Sequence, residues 1–468
     1  MKSLIQNRVL LPLRRSLCRM QWLWASGTAI YSPFDTRCWP AANRFLPLRP
    51  ISSPGRQGKP SVCLVTANMS AGGAERQVAS LACELQRRGH KVRVRVLRLD
   101  GENGHYLSYL KAHGVDICVP RMPGFADVQF LKKRGLDIAL IKHLPAELRL
   151  DTMALVLDLL RQPVDIVHCY LDWCCCYGGF AALLSGMPHV RFSWRNVNPT
   201  HFEFYRHWMP LLYEFLIPFS RIRVESNSFS GALDYSQWLR WPAEKIEVIP
   251  NGVDPALFSS GIEKNSPSLR EKIGIAPGAP LVVSVGRLLT QKRPLDLPDI
   301  LVSLRKDLPL ASLVHVGSGP LKHHLQKRAT LTGLNRPSGK SGDNTSLFLL
   351  GRREDVFDIL RMADVLLLPS AYEGMPNVIM EAMLAGVPVV ATRVGGVPDL
   401  IQDGLHGFLH EVGDLTGMTR SLKRLLTDPV LRQRMGKAGR ERILAEFTIN
   451  HLADRITRSY VTQCSAVK

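Results

Sequence analysis

The sequence predicts an α/β chain built as two doubly wound, Rossmann-like domains. Three observations carry this. Short β-rich apolar runs alternate with helix-length stretches along most of the chain. The alternation restarts after a stretch rich in proline, glycine and serine between Asp254 and Pro280. At 468 residues the chain is too long for one typical domain and suits two with a tail. The expected boundaries are a leader over 1–59, an N-terminal domain over 60–255, a C-terminal domain over 256–448 and a final helix over 449–468.

The leader differs in composition from the rest of the chain. Ten basic residues between Lys2 and Lys59 face a single acid, Asp35, and prolines and glycines interrupt every periodicity. Such a start reads as a disordered extension, translation begun upstream of the true start, or a transit peptide. Order is expected from Ser61. VCLVTAN (62–68) reads as a strand, and Val78, Leu81, Ala82 and Leu85 then recur at helical spacing until Gly89 ends the run. VRVRVLRL (92–99) alternates as a strand does, which completes a βαβ unit of a parallel sheet. Further strands are expected at 164–170, 189–197, 222–226 and 245–254, with helices that include Ala154–Arg161 and Phe202–Ile217.

The second domain is predicted with five strands, at 280–288, 312–319, 346–351, 364–370 and 387–392. Helices are expected between them at Pro298–Leu304, Leu321–Thr332, Asp355–Met362 and Val378–Ala385. Residues 335–345 (NRPSGKSGDNT) read as a polar loop insertion. Leu415–Phe447 reads as amphipathic helix broken near Asp428-Pro429, and Asn450–Val461 as a last helix.

A formal net charge of +20 favours anionic partners, but about half of that excess lies in the leader, which weakens an inference of nucleic-acid binding. Ten cysteines show no disulfide-like rhythm and no CxxC pair, so they read as reduced, small hydrophobes of a cytosolic protein. No apolar run approaches the ~18–20 residues needed to span a bilayer.

Several motifs sit where chemistry is expected. Gly72 and Gly73 stand between a strand and a helix, where bare backbone and free N–H groups can meet an anion. Arg287 and Lys292 follow the strand that ends at Gly286, and cations at the carboxyl edge of a parallel strand suit a diphosphate. Glu373 and Glu381 are separated by seven residues, and the turn Gly374-Met375-Pro376-Asn377 leads into the helix that carries the second. Carboxylates accept well from paired sugar hydroxyls, and the turn beside them forms an anion-accepting nest. Val394-Gly395-Gly396-Val397-Pro398-Asp399 makes a second close-approach turn.

Together these runs resemble the retaining, GT-B-fold glycosyltransferases of family 4, of the polysaccharide-biosynthesis type. The carriers are PSAYEGMPNVIMEAMLAGVPVVATRVGGVPD with its E-x7-E spacing, GGAERQV, IPNGVD (249–254), GR…QK (286–292), VGSGP (316–320) and LGRREDV (350–356), in the family order. The resemblance covers about 61–448 and implies two domains facing a cleft, with a C-terminal helix crossing back. It implies that Arg287 and Lys292 neutralise the nucleotide diphosphate, Glu381 binds the ribose hydroxyls and Glu373 faces the donor sugar. Gly374, Met375, Pro376, Asn377 and Val378 would contact sugar and phosphate, and Leu350, Gly351 and Arg352 the nucleobase. Gly72 and Gly73 would lie near the phosphate and acceptor.

The chain departs from the family pattern at Asp399, where a glutamate is usual, and at the long 335–345 insertion. Where many members carry a histidine near the donor sugar, this sequence reads Ser193-Trp194-Arg195-Asn196, so Arg195 or Asn196 would serve instead. His168 is a family landmark, although a lone strand-end histidine also serves structure.

The resemblance implies transfer of a hexose or N-acetylhexosamine from a nucleotide-sugar to a glycan or lipid-linked acceptor, with no metal and no cofactor. The rival readings are a sugar-nucleotide epimerase of the same fold and a basic nucleic-acid-binding protein. Lys132-Lys133-Arg134 and Leu211–Arg223 mix basic and apolar residues, as surfaces that lie on anionic lipid do. The expected place is therefore the cytoplasm, including the inner membrane face.

Overall fold

The computed structural model describes residues 59–134, 136, 138–258, 269–334 and 346–465. The leader up to residue 58, part of the interdomain stretch and the insertion at 335–345 lie outside the described residues. The chain divides into two compact units. One holds the residues up to Ser226, Ala232–Ile249 and those from Ala453 on; the other holds Asn227–Gly231 and Pro250–Leu452.

Among the described residues the first unit has seven strands: β1 (Val62–Thr66), β2 (Val92–Val96), β3 (Asp116–Cys118), β4 (Ile166–Tyr170), β5 (His189–Trp194), β6 (Ile222–Ser226) and β7 (Ile246–Val248). They pair in parallel in the order β3-β2-β1-β4-β5-β6-β7. Helices α1 (Gly73–Arg87), α2 (Leu107–Ala112), α3 (Phe125–Lys133), α4 (Ala146–Arg161), α5 (Asp172–Leu184), α6 (Trp208–Leu216) and α7 (Phe229–Leu239) run between them. The stripe read from α1 is buried, and Gly89 ends that helix at φ +86°. The short edge strand β3 was not expected from the sequence. The helix expected at Phe202–Ile217 forms only from Trp208.

The strand pattern conceals a charged layer. β1, β2, β4 and β5 are buried on both faces, as parallel strands under helices are. On one face of the sheet Glu225 is wholly buried and accepts from Arg195 Nη2 at 2.9 Å, Arg191 Nε at 3.2 Å and Ser193 Oγ at 2.8 Å. Burial pushes its pKa up, but His168 and the guanidiniums of Arg191 and Arg195 outweigh it and hold the carboxyl far below the usual range. Burial lowers the pKa of His168, against the pull of Glu225.

Helix α5 is buried nearly all round, with Cys174, Cys175 and Cys176 in the core. Its Gly178 and Gly179 have no room for a side chain: a Cβ would come within 2.6 Å of Cys169 Sγ and 2.4 Å of the Phe192 ring. Asp172 opens this helix fully buried, and the hydroxyls of Tyr213 and Tyr235 donate to its Oδ1 at 2.9 and 2.8 Å. Burial still pushes its pKa up from 3.8 to about 6. The folded chain therefore takes this proton more readily than the unfolded chain, and stability falls as pH rises from 3.8 to 6. At about 1.4 kcal/mol per pH unit, the cost above that window is about 3 kcal/mol. Asp172→Asn keeps a carbonyl for both tyrosines and removes the titration. Urea unfolding at pH 4.5 and 7.5 should show the variant gaining on the parent at the higher pH; a constant difference would rule this out.

The second unit holds β8 (Leu281–Val285), β9 (Ser312–Val316), β10 (Leu347–Gly351), β11 (Val365–Leu368), β12 (Val389–Thr392) and β13 (Gly407–His410). They are again parallel, in the order β10-β9-β8-β11-β12-β13. The sixth strand, β13, corrects the five expected. Its helices are α8 (Leu269–Ile273), α9 (Leu297–Arg305), α10 (Lys322–Leu331), α11 (Val356–Arg361), α12 (Asn377–Leu384), α13 (Val397–Leu400), α14 (Leu415–Thr427) and α15 (Pro429–Glu446). The final helix, α16 (Ile449–Ser465), opens in this unit and continues in the first. There its Tyr460 hydroxyl lies 2.7 Å from His168 Nδ1, and Arg191 Nη1 donates to Ser459 Oγ at 2.7 Å. Among the described residues no helix is long and apolar enough to cross a membrane.

Candidate functional site

The strand order of the second sheet reverses between β8 and β11, and the loops leaving their carboxyl ends border the crevice where open α/β sheets bind ligands. The loop after β8 stays paired beyond the strand. Gly286 N donates to Val316 O at 2.9 Å and Leu288 N to Ser318 O at 3.0 Å. Glycine is required opposite: Gly317 has φ +139°, and a Cβ there would lie 1.9 Å from Gly286 O. Gly317 N in turn donates to Gly351 O at 2.8 Å, so the three loops after β8, β9 and β10 are tied together. Arg287 is exposed on the first of them and Arg352 on the third.

The loop after β11 is stitched to the loop after β8. Ala371 N donates to Gln291 O at 2.7 Å, and Gln291 Nε2 to Tyr372 O at 2.9 Å. Lys292 Nζ then donates to Glu373 Oε1 at 2.5 Å, and Ser370 Oγ to the same oxygen at 2.6 Å. Glu373 is only 4% exposed, whereas the Lys292 side chain keeps 21% of its surface. An ammonium carries three donors, so this pairing leaves others for an anion.

The double-glycine turn is set by contact with the Glu373 loop. Gly396 N donates to Gly374 O at 2.6 Å. Gly395 has φ +50°, and a Cβ on it would lie 1.7 Å from Glu373 O. Gly395→Ala should therefore lose about 2 kcal/mol or more, from backbone strain plus a clash that displaces the Glu373 loop. Gly404 has φ +77° with nothing within 4 Å of its Cβ position, so Gly404→Ala costs about 1 kcal/mol from strain alone. Urea midpoints compare the two; equal losses would mean that the contact with Glu373 does not matter.

Asn251 was not singled out by sequence reasoning, although it lies in the IPNGVD run. It is buried, and its Nδ2 donates to Met375 O and to Asn377 Oδ1, both at 2.9 Å. It thus fixes the turn that ends at Pro376, where α12 begins. Glu381 lies one turn into that helix and is buried, while Val378 is partly buried. Ser370 and Gln291 were missed as well, because a serine or glutamine in a loop carries no spacing signal. Asp399 has a partner 170 residues away: its Oδ2 accepts from Phe229 N at 2.9 Å, and burial raises its pKa.

The candidates in the first unit divide differently. Gly72 and Gly73 lie at the start of α1, after β1, and the Glu75 carboxylate folds back so closely that a Cβ on Gly72 would meet it at 2.0 Å. His168 and Arg195 belong to the buried layer around Glu225, and Arg195 also lies over the Tyr170 ring. Asn196 turns inward locally, its Oδ1 accepting from Val197 N at 3.1 Å. Among the described residues no group of three His, Cys, Asp or Glu is placed to hold a metal.

Two family models match in succession, Glycosyltransferase Family 4 over residues 71–257 and Glycosyl transferases group 1 over residues 265–442. Among characterised proteins, an Escherichia coli UDP-Gal:alpha-D-GlcNAc-diphosphoundecaprenol alpha-1,3-galactosyltransferase is 32% identical over 334 residues, covering 69% of this chain and 81% of the relative. The chain belongs to the family 4 glycosyltransferases. This glycosyltransferase is also similar to the Vi polysaccharide biosynthesis protein VipC/TviE of Salmonella typhi, 25% identical over 437 residues, with 88% of this chain and 73% of the relative covered. Among solved structures, the Anabaena protein Alr3699/HepE in complex with UDP-glucose superposes with a TM-score of 0.69 at 20% identity, covering 86% of this chain and 100% of that one. That likeness shows the shared GT-B fold of two Rossmann-like domains. The comparisons favour transfer over the epimerase reading.

Proposed function

We propose that this glycosyltransferase moves a hexose or N-acetylhexosamine from a nucleoside-diphosphate sugar to a hydroxyl of a glycan or lipid-linked acceptor, with retention of configuration. The observation that carries the reading is the Lys292–Glu373 pair, held between two loops at the switch point of the second sheet, with Arg287 exposed on the same loop. Breaking the bond from the sugar's anomeric carbon to phosphate leaves negative charge on the diphosphate, and preorganised cations stabilise it. Arg287 and Lys292 are assigned to that charge. The acceptor oxygen attacks the anomeric carbon from the face the diphosphate leaves, and its proton passes to a leaving phosphate oxygen.

Glu373 accepts from Lys292, which orients the ammonium, and is assigned to the donor-sugar side. Glu381 is assigned to the ribose hydroxyls, Leu350–Arg352 to the nucleobase, and Gly374–Val378 to sugar and phosphate. Gly72 and Gly73 remain assigned to phosphate and acceptor, with Glu75 turning aside. The E. coli relative's name, with its UDP-linked donor and diphosphoundecaprenol acceptor, supports the donor and acceptor classes. Exposed Phe125, Phe204 and Leu211, near basic stretches of the sequence, support action at an anionic inner-membrane surface in the cytoplasm.

The test is a panel of sugar nucleotides with lipid-linked acceptors, in detergent and in anionic vesicles. The expected result is nucleoside diphosphate released only when acceptor is present, faster on vesicles, with an α-linked product from an α-linked donor. Donor isomerised without acceptor, or an inverted product, would overturn the mechanism. Equal rates in both media would overturn the membrane assignment.

A further inference from the structure

The first unit carries a pocket of about 430 Å³ between β7 and α16, separate from every residue assigned to the donor. Arg191, Arg223, Arg455 and Arg458 enter its wall, against the single carboxylate of Glu247. Most of the polar groups there already serve the fold. Arg191 is held by Glu225 and by Glu247, whose Oε2 also accepts from Ser459 Oγ at 2.5 Å. Gln463 Nε2 donates to Val190 O and Arg221 O at 3.1 Å, and Thr462 Oγ1 donates to Arg458 O at 3.0 Å.

Arg223 and Arg458 stand apart. Both are exposed, and among the described residues neither has a carboxylate partner. Arg458 Nε reaches only the Asp454 carbonyl, at 3.4 Å. Like charges gathered around a concavity repel one another and focus a positive field into it. A bound anion converts that repulsion into charge-assisted, bidentate hydrogen bonds, for which the planar guanidinium fork is shaped. Two forks without carboxylates, with Arg455 adding a third charge, call for more than one negative charge on the ligand. A cavity of this size also falls within the range of ordinary ligand pockets, about 300–1,000 Å³.

We propose that this pocket binds a phosphate monoester or diphosphate group, free or borne on a lipid headgroup, as a second anion site of the enzyme. The inference does not rest on the donor assignment, because the first unit alone supplies the pocket's residues.

The test uses the full chain carrying Arg287→Ala, Lys292→Ala and Glu373→Gln, which removes the cations of the donor loop together with the carboxylate they would leave behind. Inorganic pyrophosphate is titrated calorimetrically, and flotation is measured on phosphatidylcholine vesicles with and without phosphatidic acid. Adding Arg223→Gln and Arg458→Gln should weaken binding at least about tenfold. Both side chains are exposed, so an unchanged far-UV spectrum and melting temperature are expected. Pyrophosphate binding lost on substitution supports a soluble phosphate ligand. Flotation that requires phosphatidic acid and is lost on substitution supports the same chemistry on a lipid. Absence of both, or binding that survives the two substitutions, overturns the proposal.

Discussion

Lys292→Ala should lose about 10²–10³-fold in turnover and about 2 kcal/mol in stability, and adding Glu373→Gln should recover only the second loss. The two effects have separate origins. The ammonium would stabilise charge that develops on the leaving diphosphate, a role it shares on that loop with Arg287. Its removal also takes the adjacent cation from Glu373, which is almost wholly buried, and leaves it the hydroxyl of Ser370. Stranding a buried carboxylate costs free energy whether or not the protein is an enzyme. Glutamine at 373 takes the charge away and so lifts the penalty, but it restores no cation. Urea denaturation of the parent, both single variants and the double variant separates the terms, with turnover measured on the same preparations. A double variant as active as the parent would remove Lys292 from the phosphate assignment; a Lys292→Ala protein of parental stability would show that the pair contributes nothing to the fold.

Glu225→Gln should be the most destabilising conservative change in the first unit, at about 3–5 kcal/mol. It takes the shared countercharge from Arg191 and Arg195, whose side chains are 1% and 2% exposed. Arg191 would still have Glu247, and Arg195 would lose the carboxylate 2.9 Å from its Nη2. Glu247→Gln is the natural comparison: that carboxylate is 44% exposed, so water replaces much of what it loses and the cost should stay near 1 kcal/mol. Tryptophan fluorescence suits the measurement, because among the described residues the tryptophans, Trp173, Trp194, Trp208, Trp238 and Trp241, all lie in the first unit, and Trp194 is stacked on Tyr235 at 4.1 Å. The change in their signal therefore follows the first unit, and the second unit, which has no tryptophan, adds none. Losses of similar size in both variants would mean that the buried layer is not what stabilises the sheet.

The sequence made the alternating architecture legible because parallel strands buried on both faces are continuous apolar runs, as at VLLLPS and VPVVAT. β3 and β13 escaped notice for the opposite reason. Asp116–Cys118 spans three residues with an exposed acid at its start, and Gly407–His410 opens on a glycine. Helix α5 was hidden too, since three cysteines and two glycines are poor helix formers, and a helix buried all round has no periodic stripe. At the candidate site, the charged and glycine positions could be read, because their residue types are costly elsewhere. Gln291 and Asn251 act on partners 81 and 124 residues away, and Ser370 through a single hydroxyl, none of which a local pattern encodes. Buried charges on the other face of the sheet were invisible for a subtler reason. VRVRV alternates like a strand with one wet face, yet Arg93 and Arg95 are buried, Arg95 between Asp116 and Asp158.

The packing of α16 sets an order of assembly. Tyr460 and Ser459 close over His168 and Arg191, but nearly three hundred residues separate the two sides of these contacts, and the whole second unit is made in between. During synthesis, at about 5–20 residues per second, the first unit must wait on the order of ten seconds or more with its ionic face uncovered. In that interval His168 lacks the Tyr460 hydroxyl and Arg191 lacks Ser459 and Gln463. The last helix thus supplies the closing polar partners of a layer whose own bonds, from Arg191, Ser193 and Arg195 to Glu225, the earlier strands already bring together.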